Sequence, residues 1–424
     1  MTQQISPETG RAALKALFQE RSPLGPLKVM AKHVGRFFQI PIPGFSPYVV
    51  FGSEAARKVL VTDRNKLLWR NTDPVTDLLR RGVLVTDGEE HDHYRNLMET
   101  PFHPSQLSNY TEMMIEQTER VMSTWQDGQT VDMLVEGRKI ALLIIVRTLF
   151  NKDAWNDIPK IWDPILKTIK YVSPGMWIFW RKIPRLGYGK SLKAIDDYLH
   201  AIIDERRNRK EEREVKSGKG DFLQHLIDAG LSDDIIRDQM LTMLIAGHDT
   251  STALLAWTFA LLGQHPEIHG NVVREVDQAQ GKYQLLDNVI KESLRLYPPI
   301  HIGNRRAAEE MEFAEGKIPA GERMFYSIYL THRDPEVWEN ADQFCPERFS
   351  HGRKTPPMSY IPFGGGPRSC IGAAFGQAEA RIVLAHLLKN FTFEFTGHTI
   401  HAHMGATLEP RPGVMMKVSR RSRF

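Results

Sequence analysis

The sequence predicts a mainly α-helical protein with a smaller β-rich part, an α+β fold. An apolar helical pattern runs from Asp233 to Gln264, long enough for a helix that crosses the molecule. A second helical pattern begins at Ala373, directly after a glycine-rich loop that ends in a cysteine. Strand-like runs lie near the N-terminus, as at residues 38–43, and again after Pro299. Helices are therefore expected to dominate the fold.

The composition is that of a large globular protein. The chain has 424 residues, of which 42% are hydrophobic and 25% are charged, so it can bury a sizeable core. No linker-like stretch divides it, and we expect a single domain over residues 1–424. We expect strands at about 36–65, 300–330 and 391–418, and helices at about 66–299 and 331–390.

Cysteine content and charge exclude several classes of protein. Only Cys345 and Cys370 occur, which excludes a disulfide framework and favours a reducing, cytoplasmic location. No apolar stretch reaches the ~18 residues of a membrane span. The first residues also lack the pattern of a signal peptide. The net charge of +4 is too small to indicate binding to nucleic acid.

The loop at residues 363–372 has the chemistry of a metal-binding thiolate. Cys370 ends a glycine-rich loop and precedes a helical pattern. The dipole and free N–H groups of a helix N-terminus favour the thiolate form of a cysteine. Glycines let backbone N–H groups approach the sulfur. A buried structural cysteine is the alternative, but the surrounding loop favours a thiolate that binds a metal from one side.

The long helix has an unusual segment in its middle. Gly247, Asp249, Thr250 and Ser251 are poor residues for a helix interior, because their side chains compete for backbone hydrogen bonds. We therefore expect the helix to open locally here. Residues that break a local rule inside a core helix indicate a functional site. The alternative is that Thr250 and Ser251 only cap carbonyls in a bent helix.

The spacing F-x-x-G-x-R-x-C-x-G at residues 363–372 resembles the haem-ligand loop of the cytochrome P-450 family. The resemblance implies haem b, with the Cys370 thiolate as axial ligand of the iron. Residues 246–251 are similar to the acid–alcohol motif of the same family. By this resemblance Gly247 leaves space for dioxygen, Thr250 hydrogen-bonds it and Asp249 delivers protons. The haem contacts so implied are Ala246, Gly247, Phe363, Arg368 and Gly372.

The family's E-x-x-R signature matches Glu292 and Arg295, just before Pro298 and Pro299. The i, i+3 spacing places both side chains on one helix face. The segment 346–349 matches the family's P-E-R-F sequence. The resemblance implies that Arg348 joins Glu292 and Arg295 in a buried cluster that supports the haem side of the fold.

Two carboxylates on a haem require cations. The helical pair His91 and Arg95 is similar to the propionate-binding helix of the family, and His93 lies on a different face. A third cation is expected from the strand after Pro299. Arg305 fits best by spacing, and Arg306 is the alternative.

Substrate-facing positions follow from the same resemblance. The pocket is expected to be apolar. Its candidate residues are Leu78, Val83, Thr242, Ile245, Ala246, Ile300, Ile302, Met404 and Ala406. The aromatic segment Tyr171–Trp180 is either an entrance lid that makes transient membrane contact or a packed connecting loop.

The resemblance covers about residues 23–413, with one departure. The connection between Val276 and Asn288 is short, so we expect one small helix of the family to be missing. This compact form is most similar to bacterial, carotenoid-hydroxylating members of the family.

The resemblance implies a monooxygenase that inserts one oxygen atom from O2 into a C–H bond of a lipophilic small molecule. Electrons are expected from a separate ferredoxin- or flavodoxin-type donor with its reductase. Two alternatives stay open: a peroxide-driven peroxygenase or isomerase, and a non-catalytic haem-binding sensor. The pair Asp249 and Thr250 argues against both.

Overall fold

The computed structural model describes residues 5–40, 42, 45–69, 73–173, 186–208, 221–279, 281–350 and 355–422. Helices make up most of this part of the chain. They are α1 Pro7–Glu20, α2 Leu24–Val34, α3 Ser53–Arg57, α4 Pro74–Leu79, α5 Gly88–Glu99, α6 Leu107–Met122, α7 Met133–Phe150, α8 Ile158–Val172, α9 Tyr188–Asn208, α10 Phe222–Asp228, α11 Asp233–Gln264, α12 Pro266–Gln278, α13 Gln284–Leu296, α14 Ile328–Thr331 and α15 Ala373–Asn390.

The strands form four small sheets. They are β1 Phe37–Gln39, β2 Tyr48–Val50, β3 Leu67–Leu68, β4 Thr130–Asp132, β5 Ile302–Ala307, β6 Met311–Phe313, β7 Gly316–Ile318, β8 Arg323–Ser327, β9 Phe391–Phe395, β10 His401–Met404, β11 Leu408–Arg411 and β12 Met415–Arg420. The largest sheet has the order β1-β2-β8-β5-β3, and the others are β4-β12-β9, β10-β11 and β6-β7. Strands β2 and β8 are parallel, and the remaining pairs are antiparallel.

The predicted fold class, mainly helical with small sheets, is confirmed. Three local expectations were wrong. Strand β4 lies in a segment expected to be helical, and β3 lies just beyond the first expected strand segment. That segment also contains α3 and a π-helical turn at Lys58–Thr62. Strands of two or three residues are too short to show a period of two, so only their partners define them.

Two other sequence expectations agree with the structure. The long helix α11 begins and ends at the residues that the pattern indicated, Asp233 and Gln264. The described residues between α12 and α13 contain no helix, in line with the short connection expected there.

Helix α11 lies at the centre of the fold, in contact with α7, α9, α13 and α15. Its backbone is helical throughout, so the expected local opening is wrong. The hydroxyl groups of Thr250 and Thr252 donate to carbonyls four residues earlier, those of Ala246 and His248, at 2.6 and 2.8 Å. These side chains thus add hydrogen bonds to the helix without replacing its own.

Gly247 allows the close approach of α7 to α11. A Cβ atom built at Gly247 would lie 2.6 Å from Cδ1 of Ile145, on α7. Helix packing therefore gives this glycine a reason of its own, and its predicted second role, space for dioxygen, stays a prediction.

A buried ionic cluster holds α13 against the segment that follows β8. Both nitrogens of one edge of the Arg295 guanidinium donate to Glu292, at 2.7 and 2.8 Å, and neither side chain is exposed. Arg348 and the backbone N–H of Cys345 also donate to Glu292, at 3.3 and 3.0 Å. Arg295 further donates to the carbonyls of His332, Ala341 and Gln343. The predicted grouping of Glu292, Arg295 and Arg348 is present.

His332 connects this cluster to the cysteine loop. Its Nε2 accepts from the N–H of Ile361 at 2.8 Å, and its Nδ1 lies 3.2 Å from the carbonyl of Arg295. Burial, with the nearby Arg295 charge, lowers the pKa of His332 to about 3. The ring is therefore neutral, with its proton on Nδ1, and holds the start of the loop two residues before Phe363.

A second buried contact fixes α15 against α11. The hydroxyl of Ser251 donates to Oε2 of Glu379 at 2.7 Å, and Glu379 is buried. Burial raises the pKa of Glu379 to about 8, and the Ser251 hydrogen bond acts in the opposite direction. Ser251 follows Thr250, and Glu379 lies on the helix that follows Cys370. The contact therefore sets the position of the acid–alcohol segment relative to the cysteine loop.

Replacing Glu292 with alanine should destabilise the protein strongly. The change leaves the Arg295 charge buried without its carboxylate, which costs about 3–5 kcal/mol. Urea denaturation followed by circular dichroism measures the loss. The control is Asp197→Ala, which breaks the exposed pair Lys193–Asp197 on α9, and it should cost at most about 0.5 kcal/mol. Equal losses for the two variants would contradict the role of the cluster.

Stability should fall as pH rises through the titration of Glu379. Its pKa is about 8 in the folded protein against an ordinary 4.5. Between these values the folded state binds more protons, so the free energy of unfolding decreases with pH. Glu379→Gln keeps an acceptor for Ser251 and removes this slope. The free energy of unfolding of Glu379→Gln minus that of the wild type should therefore increase by at least about 1 kcal/mol as the pH rises from about 4.5 to about 8.

The measurement is urea denaturation at a series of pH values, with Glu394→Gln on the exposed face of β9 as control. An unchanged slope in Glu379→Gln would show that this carboxyl titrates normally.

Candidate functional site

The loop around Cys370 is held in one conformation by its backbone. The N–H of Cys370 donates to the carbonyl of Phe363 at 2.9 Å, and α15 begins three residues later. Gly364 and Gly366 have φ values of +71° and +64°, which side chains rarely adopt. At Gly366 a Cβ atom would also overlap the carbonyl oxygen of Leu60. Gly364 and Gly366 are therefore required by the turn itself.

Cys370 lies deep in the fold, yet its side chain is accessible to solvent. Burial raises the pKa of its thiol, while the backbone N–H of Gly372 and the charge of Arg95 act in the opposite direction. A metal ion would displace the thiol proton on binding. Cys370 therefore supplies an accessible sulfur atom, and a bound metal ion would stabilise its thiolate form.

Part of α11 is accessible in the middle of an otherwise buried helix. Ala246 is exposed and Ile245 and Thr250 are partly exposed, whereas Leu244 and His248 on either side are buried. Helices and strands cover α11 on several sides, so accessible residues in the middle of this helix mark a place where a bound group could contact it.

Two arginines tie the cysteine loop to α5. Nη1 of Arg95 donates to the carbonyl of Ser369, the residue before Cys370, at 2.7 Å. Nη2 of Arg368 donates to the carbonyl of Thr86 and to Oδ1 of Asp87, both at 2.7 Å. The predicted cations Arg95 and Arg368 thus lie on opposite sides of one junction.

Arg305 adds a third cation, and the structure distinguishes it from Arg306. The guanidinium of Arg305 lies 5.0 Å from the ring centroid of Trp69, and its charge lowers the pKa of Arg368. Arg306, next along β5, is exposed and donates to the carbonyl of Gly321. Among the described residues Arg305 has no carboxylate partner. It is therefore available to an anionic group.

His91 lies with these arginines, and His93 is exposed on another face of α5. Burial, together with the charges of Arg368 and Arg95, lowers the pKa of His91, while Asp92, at 2.8 Å from its Nδ1, raises it. His91 is thus neutral in this arrangement rather than the cation expected. An anion bound among the arginines would raise its pKa.

These residues fit a haem. Cys370 supplies an accessible sulfur, Ala246 is exposed on α11, and in the described part of the chain no carboxylate pairs with Arg305. At Gly372 no atom lies within 4 Å of where a Cβ would be, so the backbone beside the sulfur is uncovered. The residues that would hold the iron, the ring and the propionates are Cys370, Ala246, Phe363, Gly372, His91, Arg95, Arg305 and Arg368.

Asp249 is buried beside Thr250 and is linked to the C-terminal strands. Its Oδ2 accepts from the hydroxyl of Thr407 at 2.7 Å. Burial and the charge of Glu409 raise the pKa of Asp249 to about 6. An acid with a pKa near neutrality can both take up and release a proton under working conditions.

Three of the substrate candidates have little or no accessible surface, and their contact with a substrate stays a prediction. They are Leu78, Val83 and Thr242, which are packed in the core. A Cβ atom at Gly82 would overlap Oγ1 of Thr242, which shows that Thr242 packs against this loop. The neighbouring Leu84, which was not predicted, is 43% exposed.

The other candidates keep accessible surface. Ile300 is 41% exposed, and the remaining candidates are at least partly exposed: Ile245, Ala246, Ile302, Met404 and Ala406. Most of the aromatic segment Tyr171–Trp180, residues 174–180, lies outside the described residues, so its role stays a prediction.

Sequence reasoning missed several buried polar residues near the site. Arg138 lies in the apolar helix α7, Glu379 in the apolar helix α15, and Glu409 on β11. The signal that could have identified the first two is a charged residue with apolar residues four positions before and after it on the same helix face. Glu409 gives no such signal, because short strands often carry charges.

The comparison with known proteins agrees with this site. The sequence model of the family described as Cytochrome P450 matches residues 14–418. A cyclooctat-9-en-7-ol 5-monooxygenase of Streptomyces melanosporofaciens is 29% identical, over 86% of this chain and 84% of the relative. A pentalenene oxygenase of Streptomyces avermitilis is 28% identical, over 88% and 87%. None of the described helices is long and apolar enough to cross a membrane.

The fold has a solved counterpart. The structure of retinoic acid bound cyanobacterial CYP120A1 matches with a TM-score of 0.85 at 22% identity, over 96% of each chain. Because the family model spans nearly the whole sequence and the relatives are matched over most of their length, the chain belongs to the cytochrome P450 family of haem-thiolate monooxygenases.

Proposed function

We propose that this protein inserts one oxygen atom from O2 into a C–H bond of a lipophilic small molecule. The observation that carries the proposal is that one fold contains an accessible thiol, Cys370, and accessible residues, Ala246 and Thr250, in the middle of the otherwise buried helix α11. Haem b, held by Cys370 and the surrounding arginines, would supply oxygen activation and the oxidation of the C–H bond. The two electrons would come from a ferredoxin- or flavodoxin-type donor with its reductase.

The protein's own contribution is ligand, protons and orientation. The thiolate of Cys370 would hold the haem iron, and the bound haem would supply the oxygen chemistry. Thr250 donates to the carbonyl of Ala246, and its hydroxyl could instead donate to a group bound in the site. Asp249, adjacent and buried, has a pKa of about 6, so it can take up and release a proton near neutral pH. This acid–alcohol pair supports the monooxygenase over the peroxygenase, the isomerase and the sensor.

The substrate class follows from the accessible apolar side chains. Leu84, Ile300 and Ile245 present hydrocarbon surface, and such surface binds apolar molecules by removing it from water. Two relatives are named for cyclooctat-9-en-7-ol and pentalenene, which are carbocycles with few polar groups. We propose a substrate of this kind, a cyclic terpene-like hydrocarbon or its mono-alcohol.

Optical titration of the ferric holoprotein tests the substrate class. Cyclic terpenes, fatty acids, steroids and carotenoids are added in turn, and the low-to-high-spin change is followed. We expect a saturable change with cyclic terpenes. A change with another class alone would replace the proposed substrate, and turnover driven by peroxide but never by a reductase would replace the proposed reaction.

Removing the hydroxyl of Thr250 should divert reductant to hydrogen peroxide. Thr250→Ala should lower the product formed per electron several-fold and raise the peroxide formed correspondingly, because the hydroxyl group that directs proton delivery is missing. Thr250→Ser should restore most of the coupling. The control is Thr258→Ala, on the same helix with the same type of bond to the carbonyl of Leu254, but fully buried. Equal coupling in all variants would remove Thr250 from the mechanism.

The ligand role of Cys370 has a separate test. After reduction and addition of carbon monoxide, Cys370→Ala should no longer show the spectrum of a thiolate-bound haem. Circular dichroism shows whether the variant keeps its fold. Cys345→Ala is the matched control, since that sulfur lies against Glu347 at 3.4 Å and is expected to be structural.

A further inference from the structure

Two groups of polar side chains lie between Asp249 and the protein surface. Thr407, just before β11, donates to Oδ2 of Asp249 at 2.7 Å. Glu409, two residues along, is ion-paired with Arg138 of α7 and accepts from Arg411 at 2.8 Å. The side chain of Glu409 is only 7% exposed, and that of Arg411 is 51% exposed. Among the described residues no hydrogen bond joins the two groups, but the charges of Glu409, Arg138 and Arg411 act on Asp249, so the groups are close to each other.

Polar atoms in and next to these groups are buried without partners. Among the described residues, Oδ1 of Asp249, Nε of Arg138 and both ring nitrogens of His248 have no hydrogen-bond partner. His248 comes near the backbone of Arg138 but without hydrogen-bond geometry. A buried polar atom without a hydrogen-bond partner destabilises the folded state. Buried groups of this kind are usually satisfied by ordered water, which needs two to four polar partners.

We propose that Thr407, Glu409 and Arg138 form a hydrated route by which protons from solvent reach Asp249. The inference rests on the proposed monooxygenase function and identifies its proton supply. Water bound to the unpartnered atoms passes a proton to Oδ1 of Asp249. Asp249 then releases a proton toward Thr250, and the water regains its proton from solvent. Thr407 and Glu409 are positioning residues, because they act on Asp249 and not on a substrate.

The charges around Asp249 suit this task. Burial and the charge of Glu409 raise the pKa of Asp249, while the Thr407 bond and the charges of Arg138 and Arg411 lower it. The neutral ring of His248, whose pKa burial lowers to about 3, adds no charge. His403 on β10 also faces Glu409 and Arg411, and burial lowers its pKa. These opposing effects leave Asp249 with a pKa of about 6, where it can carry protons in both directions.

Infrared spectroscopy of the ferric holoprotein tests the route without turnover. The carbonyl band of protonated Asp249 is assigned by its loss in Asp249→Asn, and Glu379, with a pKa of about 8, gives a second acid band as internal reference. Glu409→Gln should lower the pKa of Asp249, since a like charge is removed. Thr407→Val should raise it, since the carboxylate loses a hydrogen bond. Shifts of opposite sign are not expected from general loosening of the fold.

Proton access is measured as the rate of deuterium uptake at the same band after transfer to D2O below the pKa of Asp249. Exchange should slow about tenfold or more in Thr407→Val and Glu409→Gln, and Thr407→Ser should restore it. Thr392→Val and Glu394→Gln, on the exposed face of β9, are the matched controls. If Glu409→Gln does not fold, Arg411→Gln takes its place. This variant removes a positive charge at the exposed end, so it should raise the pKa of Asp249 and slow the exchange.

Exchange as fast in the Thr407 and Glu409 or Arg411 variants as in the controls would overturn the route. In holoprotein that turns over, the same variants should lower coupling and increase the solvent isotope effect while the thiolate spectrum is unchanged. If no substrate turns over, the proposed function fails, and the infrared result still decides whether solvent reaches Asp249 by this route.

Discussion

The carboxylate of Glu292 is the interaction on which the site depends. Two buried arginines and a backbone N–H donate to it, and Arg295 in turn binds three carbonyls of the segment that leads to the cysteine loop. A buried ion pair is favourable only when its remaining groups are satisfied. Because these bonds meet at one junction, a single carboxylate holds α13 against the segment from His332 to Cys345, which has no helix or strand of its own.

The sequence allowed the cluster and the cysteine loop to be predicted because their residues are close in sequence or follow a dense pattern. Glu292 and Arg295 share a helix face, and the glycines before Cys370 mark a turn that only glycine can form. The long helix was predicted to its ends, because a continuous apolar pattern with a proline after it leaves little choice.

What sequence reasoning missed depends on contacts between distant segments. Gly247 was given a role beside the iron, and its missing side chain is also required by Ile145, about a hundred residues earlier. Thr242 and Leu78 are as apolar or small as pocket residues are, and only packing shows that they lie in the core. A spacing pattern states which residues share a face and does not state which neighbour that face meets.

The charged groups around Glu292 and those around Asp249 differ in how many hydrogen-bond partners they have. Around Glu292 the charged groups have partners, whereas Asp249 keeps a free Oδ1, Arg305 has no carboxylate among the described residues, and Glu379 keeps a free Oε1. Selection for stability alone would favour apolar side chains at these positions, because a buried polar atom without a partner destabilises the fold. Unpartnered buried atoms also occur elsewhere, at Nε1 of Trp338 and Oγ1 of Thr148, so their presence alone does not mark the site. Around Asp249, however, they cluster, with Oδ1 of Asp249, Nε of Arg138 and both ring nitrogens of His248, and such a cluster of polar groups in the core is explained if water and protons complete it.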